Sequence, residues 1–291
     1  MTTLVQAWTS ARDRLKAAGL DSPVMDARLL VQAAAGAERA DILNDPHRPL
    51  DNAQVDALEG FLARRERREP ISHILGAKGF WSIMLKVTPD VLTPRPETEL
   101  LVDWTLKAFA EGESFTVLDL GVGSGAILLA ILAERPAAKG LGVDISEEAL
   151  AVARENAANL GLEGRTVLLR GDWTTGLEGD AFDLVVSNPP YIRTTDIDAL
   201  EPEVRDWEPR LALDGGADGL AAYRRLAHEV LRVLKPGGRF AVEIGFDQGA
   251  PVPELFSAAG ADAVKVLPDL LGHDRVVVGS KKPLGKTADN R

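Results

Sequence analysis

The 291-residue sequence predicts an α/β fold: a doubly wound, mostly parallel sheet with a C-terminal antiparallel hairpin, preceded by a small helical bundle. Three observations predict it. Between about residue 115 and residue 244, apolar runs of strand length alternate with helical patterns. The last two apolar runs, 262–267 and 275–280, have no helical pattern between them, so they are expected to pair antiparallel. Residues 1–75, by contrast, carry only helical stripes.

Each element follows from local chemistry. Leu4, Trp8, Ala11 and Leu15 share one helical face, and Gly19 ends that helix. Pro23 opens the next, which carries Leu29 and Leu30. Val55, Leu58, Phe61 and Leu62 stripe a third, with Asp51 as its N-cap. This gives a helical domain over residues 1–75. Residues 76–95 read as a linker with a β-hairpin, because Phe80 to Val87 looks extended. The α/β domain follows over 96–281. Its strands are expected near 115–120, 140–145, 166–171, 182–187 and 239–244, its helices near 127–134, 147–160 and 219–233. Residues 282–291 are polar and expected to form a flexible tail.

Composition excludes several chemistries. The chain has no cysteine, hence no disulfide framework, thiolate nucleophile or Cys-ligated metal. His47, His73, His228 and His273 are scattered without ligand spacing, so no metal is expected. No apolar stretch approaches the ~20 residues of a membrane span. The first residues lack a basic region and an apolar core, so no signal peptide is expected and the location reads as cytoplasmic. The formal net charge is −11, but residues 1–90 hold 12 Lys/Arg against 12 Asp/Glu, so the acidic surplus lies in the α/β part. That disfavours a site built to neutralise phosphates. The one dense basic cluster, Arg64-Arg65 and Arg67-Arg68, reads as a solvated helix end.

Two motifs carry chemistry. Val117-Leu118-Asp119-Leu120 runs into Gly121-Val122-Gly123-Ser124-Gly125-Ala126 and then a helix. Glycines permit a tight turn and close approach of a ligand, and a helix N-terminus offers free N–H groups. Gly121, Gly123 and Ala126 fit the dinucleotide fingerprint, and Asp144 ends the next strand about twenty residues on, where an acid accepts from ribose hydroxyls. The pattern indicates an adenosine-containing cofactor, NAD or S-adenosylmethionine; Asp144 could instead be a solvated acid or the N-cap of the helix at Glu147. The second motif, Asn188-Pro189-Pro190-Tyr191, follows the apolar run 182–187. Two prolines stop a strand abruptly and restrict the residue before each. Asn188 is thereby held in a rigid turn at a strand's carboxyl end, suited to a planar –NH2 group, with Tyr191 as an aromatic wall; a capping Asn in a Pro-Pro loop is the plain alternative.

The glycine loop, Asp144 and Asn188-Pro189-Pro190-Tyr191 together resemble the class I S-adenosylmethionine-dependent methyltransferases that modify exocyclic or amide nitrogens. Further runs narrow the likeness: Thr93-Pro94-Arg95-Pro96-Glu97-Thr98-Glu99, Gly171-Asp172-Trp173, Glu208-Pro209, Leu234-Lys235-Pro236-Gly237-Gly238, Glu243-Ile244-Gly245 with Gln248, and Asp274-Arg275-Val276-Val277. In this order they resemble the PrmC (HemK) family of protein-(glutamine-N5) methyltransferases, over nearly the whole chain. The resemblance implies methylation of the glutamine of the Gly-Gly-Gln loop in class 1 peptide release factors. It implies a cofactor site formed by Gly121, Val122, Gly123, Ser124, Gly125, Asp144, Asp172, Trp173 and Asn188, although family members commonly have threonine or alanine at Val122. It implies catalysis by Asn188, Pro189 and Tyr191: the Asn188 side-chain oxygen and Pro189 carbonyl accept the two amide hydrogens, and Tyr191 packs on the glutamine, with Pro190 completing the substrate site. Glu97 and Glu99 lie in a loop that can approach the cofactor's amino group or stay solvated. A monomer acting on a protein, with no nucleic acid and no membrane, is expected. The sister enzyme that methylates a large-subunit ribosomal protein shares the catalytic half, and Asp21-Ser22-Pro23 with Asp26-Ala27 favours the release-factor type. A DNA or RNA amino-methyltransferase is disfavoured by charge, and a non-catalytic binding module by the intact glycines and Asn188.

Overall fold

The structure, a computed structural model, describes residues 1–284, so from residue 285 on the expected tail lies outside the described residues. Two compact units emerge. One comprises Met1–Ala77 together with Glu201–Trp207, and the other comprises the remainder from Lys78.

The first unit is helical, with α1 (Leu4–Ala17), α2 (Pro23–Ala35), α3 (Arg39–Asn44), α4 (Asn52–Glu66) and α5 (Ile71–Leu75). Leu4, Leu15, Leu30, Leu58 and Leu62 meet in its core. Gly19 reverses the chain at φ 71°, and Pro23 is the first residue of α2. Asp51 caps α4: its carboxylate accepts from Gln54 N at 2.8 Å while Gln54 Oε1 accepts from Asp51 N at 3.0 Å. The basic cluster differs from the expected solvated helix end. Arg65 is buried, donating to Asp26 at 2.8 Å and to Glu203 at 3.0 Å. Arg68 reaches the same Glu203 carboxylate at 3.1 Å. A buried guanidinium needs carboxylate partners, and Glu203 supplies one from 126 residues beyond the end of the bundle's main segment. That is how Glu201–Trp207 comes to belong to this unit.

The second unit starts with β1 (Ala77–Phe80) and β2 (Ile83–Lys86), a two-stranded sheet. Phe80, Ile83 and Leu85 bury themselves in the large core. The hairpin placed by sequence in a linker therefore contributes packing to the α/β domain. There follow α6 (Glu99–Ala108), β3 (Thr116–Leu120), α7 (Ala126–Glu134), β4 (Lys139–Asp144), α8 (Glu147–Asn159), β5 (Thr166–Arg170) and β6 (Phe182–Ser187). After α9 (Pro202–Arg205), which lies in the first unit, come α10 (Arg210–Leu213), α11 (Ala221–Val233), β7 (Leu234–Glu243), α12 (Pro251–Ala258), β8 (Asp262–Pro268) and β9 (Asp274–Ser280).

The sheet order is β5-β4-β3-β6-β7-β9-β8. The first five strands are parallel, and β9 pairs antiparallel with both β7 and β8. β7 begins five residues before the expected Arg239, because Lys235-Pro236-Gly237-Gly238 forms a bulge against Phe182 and Leu184 that absorbs the proline. β3 has core on both faces, and α7 is buried from Ala126 through Leu132. The strand order reverses between β3 and β6. In open α/β sheets such a switch point opens a crevice beyond the strands' carboxyl ends. β3 ends there in the glycine loop, and β6 ends there in Asn188.

Candidate active site

The crevice at the switch point is a cavity of about 310 Å³. Its floor is the glycine loop. Gly121, Gly123 and Gly125 have φ of 74°, 53° and 85°, a region that side chains rarely adopt. A Cβ on Gly125 would lie 2.8 Å from Leu129 Cδ1, whereas one on Gly123 would meet open space. Gly125 is packed shut beneath the N-terminus of α7, and Gly123 leaves room for a ligand. Val122 turns its side chain into the core over Gly142, so the departure from the family's usual residue leaves the loop's exposed edge unchanged.

Asp144 stands at the end of β4 and already has work within the protein. Its Oδ2 accepts from Gly123 N at 2.9 Å, and its Oδ1 from Ser146 N at 3.0 Å. The N-cap of α8 is Ser146, which accepts from Ala149 N at 3.0 Å, rather than Asp144. One carboxylate thus ties the loop after β3 to the turn before α8, and its position lines the cavity.

Asp119, one residue from the end of β3, is fully buried, and its Oδ1 has no hydrogen-bond partner. Burial pushes its carboxyl up to about 7, helped by nearby Asp144 and opposed by Leu128 N, which donates at 3.2 Å. Between the ordinary 3.8 and about 7 the folded protein keeps a proton that the unfolded chain has lost. The resulting stability is complete below 3.8 and disappears as pH rises through about 7. Asp119→Asn is neutral at every pH and preserves an acceptor for Leu128. It should be more stable than the wild type at pH 8 by on the order of 1–3 kcal/mol, with little difference near pH 4. Thermal melts at both pH values check this, and an equal difference at the two would dismiss the buried-acid account.

Trp173, held at φ 53°, places its ring edge above the Gly121 loop and lines the cavity. Asp172 lines it as well, but its carboxylate is engaged by Arg225 of α11 through two 3.0 Å bonds. The Asp172 carboxylate is thereby paired, and Asp172 with the Trp173 ring makes that wall.

The opposite wall is the tetrapeptide. Asn188 Nδ2 donates to Thr98 Oγ1 at 3.2 Å, which commits the amide's donor end and leaves Oδ1 as the free acceptor. Pro190 lines the cavity and Pro189 is buried behind it. Tyr191 departs from the expected aromatic wall. It packs against the inner core, its hydroxyl donates to Glu243 Oε1 at 3.4 Å, and it is not among the cavity's lining residues. Burial, the largest influence, pushes its pKa well above the ordinary value. Gln248 Nε2 donates to the Tyr191 carbonyl at 3.1 Å and equally to that of Gly219. A Cβ on Gly219 would lie 2.5 Å from the Tyr191 carbonyl oxygen, so a glycine is needed where the two segments touch. The tyrosine anchors the turn from behind.

Of the two acids left open between cofactor contact and solvent, Glu97 is exposed and Glu99 accepts from Trp81 N at 2.9 Å. Neither lines the cavity. From the same run Arg95 and Thr98 do, and Arg95 pairs at 2.7 Å with buried Glu208. Sequence reasoning gave no role to Thr98, Arg95, Glu243 or Gln248. The available signal was their place in the short runs flanking the two motifs.

The chain matches the family described as PrmC N-terminal domain over residues 6–76 and that described as methyltransferase domain over 111–256. A release factor glutamine methyltransferase of Caulobacter vibrioides is 66% identical over 286 residues, covering 98% of this chain and 99% of that protein. The chain belongs to the release factor glutamine methyltransferase family. A second family member, from Rhodospirillum rubrum, is 47% identical over 94% of this chain and 83% of its own length. For the fold, a crystal structure of a methyltransferase from Pyrococcus furiosus superposes with a TM-score of 0.51 at 21% identity, covering 68% of this chain and 88% of that one. This member of the family is an S-adenosylmethionine-dependent methyltransferase, and its cavity fits that cofactor: an open glycine loop, a strand-end acid and an indole ring converge on it.

Proposed function

We propose that this protein transfers a methyl group from S-adenosylmethionine to the side-chain amide nitrogen (N5) of the glutamine in the Gly-Gly-Gln motif of class 1 peptide release factors. The observation that carries the reading is the polarity of Asn188: with its NH2 given to Thr98, its oxygen is the group left to meet an incoming amide. Gly121, Val122, Gly123 and Ser124 hold the methionine part of the cofactor, with Gly125 fixing the turn behind them; Asp144 holds the ribose, and Trp173 with Asp172 the adenine. When bound, the cofactor supplies an electrophilic methyl group on a positively charged sulfur.

A primary amide nitrogen is a poor nucleophile, because its lone pair is delocalised into the carbonyl. The chain's part is therefore alignment, and holding reacting atoms ~3–3.5 Å apart supplies several kcal/mol of the barrier. Asn188 Oδ1 and the Pro189 carbonyl accept the two amide hydrogens, fix the amide plane and stabilise positive charge growing on nitrogen. Pro190 shapes the entrance, and Tyr191 keeps the turn rigid. The surplus proton leaves to water. Every cavity residue comes from the second unit of one chain, which supports a monomer as the working form. No helix among the described residues is long and apolar enough to cross a membrane, and a translation factor as substrate places the proposed reaction in the cytoplasm.

The test is mass spectrometry of an unmodified, folded class 1 release factor after incubation with the full-length protein and S-adenosylmethionine. The Gly-Gly-Gln peptide should gain one methyl group on glutamine. Short Gly-Gly-Gln peptides should be much poorer substrates, because remote contacts supply binding energy that drives the reacting groups together. Methylation of a large-subunit ribosomal protein, or of DNA, with the release factor untouched would overturn the assignment.

A further inference from the structure

The turn Asn188-Pro189-Pro190-Tyr191 is poor in donors, because its two successive prolines have no N–H. Such a segment is held largely through its carbonyls, and a carbonyl needs a donor from elsewhere in the chain. Gln248, 5% exposed and outside the cavity's lining, supplies one. Its Nε2 donates to the Tyr191 carbonyl at 3.1 Å and to the Gly219 carbonyl at 3.1 Å, while its Oε1 accepts from Gly245 N at 2.9 Å. Both amide hydrogens are committed, and the three partners fix the orientation of the group. Turned over, it would set its oxygen against two carbonyls and its hydrogens against an N–H. Gln248 N also donates to Gly245 O at 2.9 Å, so the turn 245–248 holds the base of the side chain in place.

Three loops meet on this one amide. Tyr191 closes the turn after β6, Gly245 follows β7, and Gly219 lies just before α11. The loop that ends at Gly219 begins at the cavity: Pro209, Leu211 and Ala212 line it together with Asn188 and Pro190. Backbone bonds lace the same two stretches of chain, Ile192 N donating to Leu213 O at 3.0 Å and Gly215 N to Ile192 O at 2.7 Å. The packing leaves no slack. A Cβ on Gly219 would lie 2.8 Å from Gln248 Nε2, and one on Gly215 would lie 2.8 Å from Tyr191 Cα. We propose that Gln248 is a positioning residue of the reaction. By clamping the Tyr191 carbonyl to Gly219 and Gly245, it sets where the Asn188 and Pro189 acceptors stand relative to the wall 209–212. The role rests on the amide methylation proposed above. Gln248 touches no reacting atom and acts through the turn. A carboxylate cannot replace it, because it only accepts, and an aliphatic side chain cannot donate.

Two variants of the full-length enzyme test this. Gln248→Glu keeps the size and the acceptor for Gly245 N but removes both donors, and Gln248→Met keeps the length and removes them without adding charge. Each should lower kcat for the release factor on the order of tenfold to a hundredfold, the scale of a small displacement of reacting groups. S-adenosylmethionine affinity by calorimetry should change less than about threefold, since Gln248 does not line that cavity. The same fold-loss should appear on a short Gly-Gly-Gln peptide, because the clamp acts in the crevice and not on remote contacts. The bond itself has a direct readout. The chain has only two tyrosines, Tyr191 and Tyr223, so tyrosine labelled with 13C at the carbonyl gives two signals, and Tyr191→Phe identifies one by its loss. In both Gln248 variants the Tyr191 signal should move much further than that of Tyr223. Wild-type kcat in a folded variant, a loss confined to the intact factor, or an unmoved Tyr191 carbonyl would overturn the proposal. Should Gln248→Glu not fold, Gln248→Met decides by the same measurements. Absence of release-factor methylation by the wild type would instead count against the function, and the carbonyl signal would still report the clamp.

Discussion

Asn188→Ala is expected to lower methyl transfer to an intact release factor about 10²- to 10³-fold, the usual cost of removing one preorganised partner of a developing charge. Cofactor binding should change far less. Asn188 lines the cavity, but the glycine loop, Asp144 and Trp173 make the rest of that surface. The loss should therefore sit in kcat and kcat/KM rather than in the cofactor's dissociation constant. Alanine also removes the donor that Thr98 Oγ1 accepts from. Single-turnover assays with saturating cofactor measure the effect directly. A variant that kept more than about half of the wild-type rate would remove Asn188 from the reacting geometry.

Asp144→Ala is the second large effect, and it has two parts. The ribose loses charge-assisted hydrogen bonds, costing about 1.5–3 kcal/mol, or roughly ten- to a hundredfold in affinity. The glycine loop also loses the acceptor that holds Gly123 N at 2.9 Å, and the start of α8 loses the one that holds Ser146 N. The affinity loss should therefore lie at the upper end of that range. Asp144→Asn, which retains one acceptor oxygen, should fall between the two. Calorimetry with S-adenosylmethionine is the measurement, and wild-type affinity in a folded Asp144→Ala protein would take the residue out of the site.

Much of this site was legible in the sequence because its parts are local. A glycine loop between a strand and a helix, an acid at the next strand's end and prolines closing another strand each announce themselves within a few residues. The parallel sheet and the final hairpin were legible for the same reason, since apolar periodicity is a short-range signal. What stayed hidden depends on partners far apart in the chain. Arg65 looked like one cation of a solvated cluster until Glu203, 138 positions later, proved to be its partner. Tyr191 looked like a wall of the pocket, and only the placement of Glu243, 52 positions on, shows why its ring turns inward. Asp172 is expected at the cofactor from its motif, and nothing near it in sequence announces that Arg225, 53 positions on, pairs with its carboxylate. The helix α6 escaped notice because the run before it, Thr93 to Glu99, drew attention as a loop motif, although Leu101, Val102 and Thr105 give it a buried face.

The fixed polarity of the Asn188 amide also bears on what the pocket turns away. With Asn188 Oδ1 facing inward, the reacting position offers oxygen lone pairs and few hydrogens. A deamidated substrate, with glutamate in place of glutamine, would bring a carboxylate against those lone pairs, so spontaneously damaged release factor should neither react nor linger as an inhibitor. The product is treated similarly. Once one amide hydrogen has been replaced by methyl, one of the two acceptors is left unpaired, at a cost of about 1–3 kcal/mol. The same arrangement that grips the amide before transfer thus loosens it afterwards, favouring departure of the singly methylated factor over a second round.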